Sequence, residues 1–142
     1  MLDSEIKTEI ARLEKQIYIY HKKIKNAKNE QNEIEDSISN LQKRKNEVEQ
    51  GLNQTFEIIK RRFEALKVKA SFKENHYTEV KNIIFGSSSS SVVASIQESL
   101  AKAKNKYFEL DDDIDEYYKI IKRLENEIYD LKSRLNEAGV CS

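Results

Sequence analysis

Residues 82–96 read NIIFGSSSSSVVASI, a glycine followed by five serines in a chain with no proline and only three glycines. Both flanks are built from Lys, Glu, Asn and evenly spaced Ile and Leu, so this stretch decides whether the chain is one helix pair or two joined pieces. Gly86 can take the left-handed conformation that ends a helix, and a serine behind it can accept from the free amides of the next. Ser95 and Glu98 have capping-box spacing, which would let the second helix begin a turn after Val92. A flexible linker is the competing reading. Five serines are few for that purpose, and one periodicity runs through both flanks.

Upstream, apolar residues alternate steps of four and three from Ile6 through Ile10, Leu13, Ile17, Tyr20, Ile24 and Ala27. They resume at Ile34, Ile38, Leu41, Val48, Leu52 and Ile59, the heptad pattern of a coiled-coil helix. Gln31, Lys45 and Thr55 take core-type positions, where a polar group lowers stability but fixes register or partner choice. Past Leu52 the steps become four and four, a stutter that unwinds the supercoil without ending the helix. Downstream the seam is unbroken: Val93, Ile96, Leu100, Ala103, Tyr107, Leu110, Ile114, Tyr117, Ile121, Leu124, Ile128, Leu131, Leu135, Ala138. Gly139 then stands where a C-cap belongs. Glu57 with Arg61, Glu98 with Lys102 and Asp115 with Lys119 are acid-before-base pairs at helical spacing.

The expectation is therefore all-α: an elongated antiparallel helical hairpin or coiled coil forming one domain. Its first helix covers about 3–84, its Gly/Ser turn 86–91 and its second helix about 92–138. Gly51 and Ser71 are the places where the long first helix can break.

Composition agrees with this architecture. At 142 residues, 38% hydrophobic against 35% charged is lean for a globular core and suits long helices. With 25 basic and 25 acidic residues, the chain has no global drive toward nucleic acid or anionic membranes. The start, MLDSEIKTEI, has no apolar signal region, and no window reaches the length of a membrane span. These features predict a soluble, cytoplasmic chain with no membrane insertion. The single Cys141 can close no internal disulfide and reads as a free thiol on a frayed tail.

Charge suggests a register. Lys60, Arg61, Arg62, Lys67 and Lys69 form a basic block, while Glu109, Asp111, Asp112, Asp113, Asp115 and Glu116 form an acidic one. Folding about the serines brings Leu66 to Leu110 and Ile59 to Tyr117, matches seam to seam and sets the blocks opposite each other. Exposed ion pairs stabilise little and mainly select register. In this arrangement the second helix covers the first only back to about Leu41 or Ile38. An apolar seam from Ile6 to Ile34 stays bare and needs a partner. A rival register pairs Ile10 with Ala138, hides that seam and turns 53–92 into a separate head.

Catalytic signals are absent from the sequence. His21 and His76 have no Cys, His or carboxylate at zinc-ligand spacing. ELDDDIDE lacks the mid-loop glycine and terminal glutamate of an EF-hand. Three glycines make no phosphate loop, and Ser87–Ser91 have no base beside them. A two-helix pair also offers no concave pocket. The expectation is a non-enzyme without metal or cofactor.

Ile84-Phe85-Gly86 sits where a helical hairpin would turn, and Tyr107 to Asp111 gives Tyr-x-x-x-Asp, with Phe108 and Asp112 repeating the spacing as Phe-x-x-x-Asp. On these residues the chain resembles the Trp-x-Gly (Esx-like) helical hairpins of type VII secretion, with Ile84 where that family carries tryptophan. Within it the chain most resembles the small α-helical proteins that accompany LXG toxins in Gram-positive bacteria. The resemblance implies a targeting adaptor that binds the helical LXG domain of a toxin and supports its export, with co-secretion as a further implication. Tyr107, Asp111, Phe108 and Asp112 become export-signal candidates, set against a purely structural role for Tyr107 in the seam. Ile6, Ile10, Leu13, Ile17, Tyr20 and Ile24 become the partner-binding face. A prefoldin-like chaperone subunit with a central β region and a structural homodimeric coiled coil through Ile6 to Ile34 are the alternatives.

Overall fold

The fold was obtained as a computed structural model that describes residues 2–66 and 69–141, with side chains for all of these except 87–89 and 138–141. Three helices follow one another: α1, Asp3–Glu64, of 62 residues; α2, Ala70–Ile84, of 15; and α3, Ser87–Cys141, of 55. No strand occurs among the described residues. The protein is all-α and folds as an antiparallel helical hairpin. Without proline, nothing removes a backbone donor inside these helices. Asp3 and Glu5 open α1, and Arg61 and Arg62 close it, signs that suit the helix dipole at each end.

The reversal, however, is not at the serines. It falls between the end of α1 at Glu64 and the start of α2 at Ala70, close to the expected break near Ser71. Ala65 N–H donates to Arg61 O at 3.3 Å and Leu66 N–H to Phe63 O at 3.1 Å, tightening the last turn of α1. Lys73 Nζ then donates to Glu64 O at 3.1 Å, satisfying one of the carbonyls a helix end leaves free. Phe63, buried, stacks on His76 with ring centroids 4.2 Å apart and meets Tyr77 at 5.5 Å and Phe72 at 6.0 Å. Tyr77 Oη donates to Lys60 O at 3.1 Å. This aromatic clamp folds α2 straight back along α1, and serine side chains offer no comparable burial. The basic block's Lys67 lies outside the described residues.

Ile84, Phe85 and Gly86 do mark a helix junction, but a minor one. Only Phe85 and Gly86 separate α2 from α3, and the serine run is helical, so α3 begins at Ser87 rather than about 92. Ser95 and Glu98 sit inside α3 instead of capping it. Phe85 N–H donates to Lys81 O at 2.8 Å and Ser90 N–H to Gly86 O at 3.0 Å, so helical bonding resumes at once. Gly86 has no positive φ. Its glycine is needed for close approach instead: a Cβ there would lie 2.1 Å from Asn82 O. At the other end, α3 continues past Gly139 to Cys141, whose side chain lies outside the described residues. Of the three expected helical ion pairs only Glu98–Lys102 closes, at 3.3 Å.

The chain divides into two units, Met1–Glu33 with Lys106–Ser142, and Ile34–Asn105. In the first, Ile6, Ile10 and Leu13 pack with Leu124, Ile128 and Leu131, and Ile17, Tyr20, Ile120 and Leu135 close around them. Leu13 is only 1% exposed. Glu14 meets Lys132 at 4.0 Å, Tyr20 faces Tyr117 at 5.8 Å between ring centroids, and Gln31 reaches Tyr107. Rising numbers on α1 meet falling numbers on α3, so the pair is antiparallel. The register that brings Leu66 to Leu110 is thus overturned, and the one that sets Ile10 against the C-terminal end of α3 is close to what forms. Ile6 to Ile34 is no bare seam.

In the second unit, α1 packs with α2 and with the start of α3. Among the described residues only Phe63 and Leu100 are buried there. Ile34, Ile38, Leu41, Val48, Leu52, Phe56, Ile59, Val93 and Ile96 remain half-buried. With Ser90, Ser91 and Ala94 on the α3 side, the pair lacks the volume to close its own flanks. Leu13→Ala should therefore cost about 2–5 kcal/mol in chemical denaturation, and Leu52→Ala nearer to about 1 kcal/mol. Equal costs at the two positions would contradict the difference in packing.

Candidate interaction surface

The residues proposed to bind a partner are spent inside the first unit. Ile6, Ile10, Leu13 and Ile24 are buried, and Ile17 and Tyr20 pack against that core, so the surface expected to be sticky is sealed by α3. The proposed homodimer through Ile6 to Ile34 loses its surface for the same reason. Tyr20 and Tyr117 also carry a cation: Lys23 Nζ lies 4.8 Å from one ring centroid and 5.9 Å from the other.

The export-signal candidates divide. Gln31, 7% exposed, donates from Nε2 to Asp111 Oδ1 at 2.6 Å and to Tyr107 O at 3.2 Å. Tyr107 and Asp111 thereby satisfy the buried amide of a polar seam residue, which is a structural task. Phe108 and Asp112 are exposed on the outer side of α3, with Phe108 at 61%.

Open clefts with apolar linings lie in the second unit. Leu52, Phe85, Val93 and Ala94 line one cleft of about 340 Å³, with Glu49, Asn53, Ser90 and Gln97 at its rim. Leu41, Val48, Val92 and Ile96 line another of about 610 Å³, bordered by Arg44, Glu47, Ser91 and Ser95. Both run between α1 and α3 and open to solvent, so the expectation that a helix pair offers no concavity is corrected. Among the described residues no three His, Cys, Asp or Glu side chains gather as a metal site, and no helix is long and apolar enough to cross a membrane.

The clamp at 60–77 went unread in the sequence, yet a signal was present. Four of the five phenylalanines, Phe56, Phe63, Phe72 and Phe85, fall between 56 and 85, and Phe56 and Phe85 meet at 5.8 Å. Comparison with family models, curated proteins and solved structures finds no match to this chain.

Partial burial in the clamp, followed by the nearby Glu64 carboxylate, pushes the Tyr77 hydroxyl above its ordinary value. The neutral phenol is thus favoured by folding. Its contribution is fully present below the unfolded pKa of about 10 and is lost as pH rises through the raised native value. An alkaline loss of stability beginning near pH ~10 should be smaller in Tyr77→Phe, measured by circular dichroism. An identical alkaline profile for the variant would exclude this group.

Proposed function

We propose that the protein is a non-catalytic helical adaptor whose second unit receives a helix of a partner protein. The observation that carries this reading is the contrast in seam burial. Among the described residues, one heptad pattern is sealed by eleven buried apolar side chains in the first unit, and in the second it reaches full burial at only two. Half-buried Leu41, Val48, Leu52, Val93 and Ile96 flank open clefts on the α1–α3 pair. A third helix laid along such a pair, with axes about 8–10 Å apart, would complete its burial as in a three-helix bundle. The resemblance to LXG-associated helical proteins names the helical LXG domain of a type VII-secreted toxin as the first partner to test. A prefoldin-like reading has less support, because no strand stands between the helical arms among the described residues.

The test is co-expression of the full chain with such a helical domain, followed by affinity measurement. Leu52→Ser with Val93→Ser should keep helicity and weaken the complex at least tenfold, a loss of about 1.4 kcal/mol. The triple alanine variant of Ile10, Ile17 and Ile24 should instead unfold the first unit, since each buried isoleucine contributes about 2–5 kcal/mol. Unchanged affinity in the double variant would remove the clefts from the interface.

A further inference from the structure

Two charged groups that the sequence offers to each other close no ion pair among the described residues. At the α1–α2 reversal, Lys60, Arg61, Arg62, Lys69 and Lys73 gather with Glu64 as the only acid between 60 and 73. Leu66 and Phe72 beside them are 51% and 56% exposed. On α3, Glu109, Asp112, Asp113, Asp115 and Glu116 are all exposed, next to Phe108, with no base between 109 and 116. Among the described residues none of these side chains closes an ion pair.

Local helix electrostatics explains little of this. Arg61 and Arg62 suit the C-terminal end of α1. Lys69 and Lys73 do not suit the N-terminal end of α2, where the dipole disfavours cations and no acid stands in the first turn. The acidic run repels itself at steps of three and four along α3. Each group carries the sign the other lacks and has an exposed apolar anchor.

We infer that the basic reversal of one molecule docks on the acidic Phe108 face of a second copy of this chain. This contact uses none of the clefts assigned to a partner helix. A contact between two different patches is heterologous, so it gives a closed ring or an open chain of molecules. Its strength should follow salt, because clustered exposed charges select and steer partners through a screened field.

Sedimentation velocity of the full chain, over a rising concentration series, tests this at about 0.1 M and about 1 M salt, where the screening length falls from about 10 Å to about 3 Å. Reversible self-association at low salt, weakened at least tenfold at high salt, is expected. Arg61→Glu with Arg62→Glu, and separately Asp112→Lys with Asp113→Lys, should each be monomeric while keeping wild-type helicity. Mixing the two reversed variants should restore association, because their charges are complementary again. Phe72→Ser and Phe108→Ser give a second pair of variants that should weaken it without changing charge. Leu52→Ser with Val93→Ser should leave it untouched, which separates this contact from the adaptor clefts. A wild-type chain that stays monomeric at low salt, or reversed variants that fail to recover on mixing, would overturn the proposal. Binding of the monomer to phosphatidylserine vesicles in place of self-association would do the same and give the basic end to a lipid surface.

Discussion

An antiparallel helix pair has a single shared seam, and every apolar residue on it must meet one coming the other way. That constraint governs this protein. In the first unit it is met by Ile6, Ile10 and Leu13 against Leu124, Ile128 and Leu131, with large aliphatic side chains on both helices. Burial of this kind yields about 1.5–3 kcal/mol per large side chain, far more than the exposed Glu14–Lys132 contact can contribute. Hydrophobic matching therefore outranks charge matching in choosing register. The polar seam position Gln31 tightens the choice, because its amide is satisfied only where Asp111 and the Tyr107 carbonyl come opposite.

The aromatic clamp is the local counterpart of that choice. Phe63, Phe72, His76 and Tyr77 make a compact cluster next to the reversal, and placing the bend there lets α2 return at once along α1. A bend at Gly86 would leave those rings in solvent and the Ile6 seam unpartnered. The serine run consequently serves as ordinary helix. The small side chains of Ser90, Ser91 and Ala94 stand at the open clefts beside Leu52 and Val48. The interface proposed for a partner helix falls where packing is weak, because a partner can supply the volume that the second unit lacks.

The repositioned bend also changes what the charges mean. Opposed blocks inside a hairpin would have been a register device. With no ion pair closed by either among the described residues, they are surface features open to contact with something of opposite sign. The export-signal candidates change meaning in the same way. Asp111 and Tyr107 are tied to Gln31, while Phe108 and Asp112 are exposed on the outer face.

By itself the sequence determined the helical state, the hairpin class, the identity of the seam residues and the presence of a junction at Ile84-Phe85-Gly86. These follow from heptad spacing and from the absence of proline, which act within one or two helical turns. Tertiary structure alone decided where the chain reverses, which seam residues face each other and which part stays half-covered. A heptad seam is nearly self-similar, so sliding one helix past the other by whole heptads preserves the pattern. Only non-local contacts, Phe63 on His76 and Gln31 on Asp111, distinguish one such register from the next.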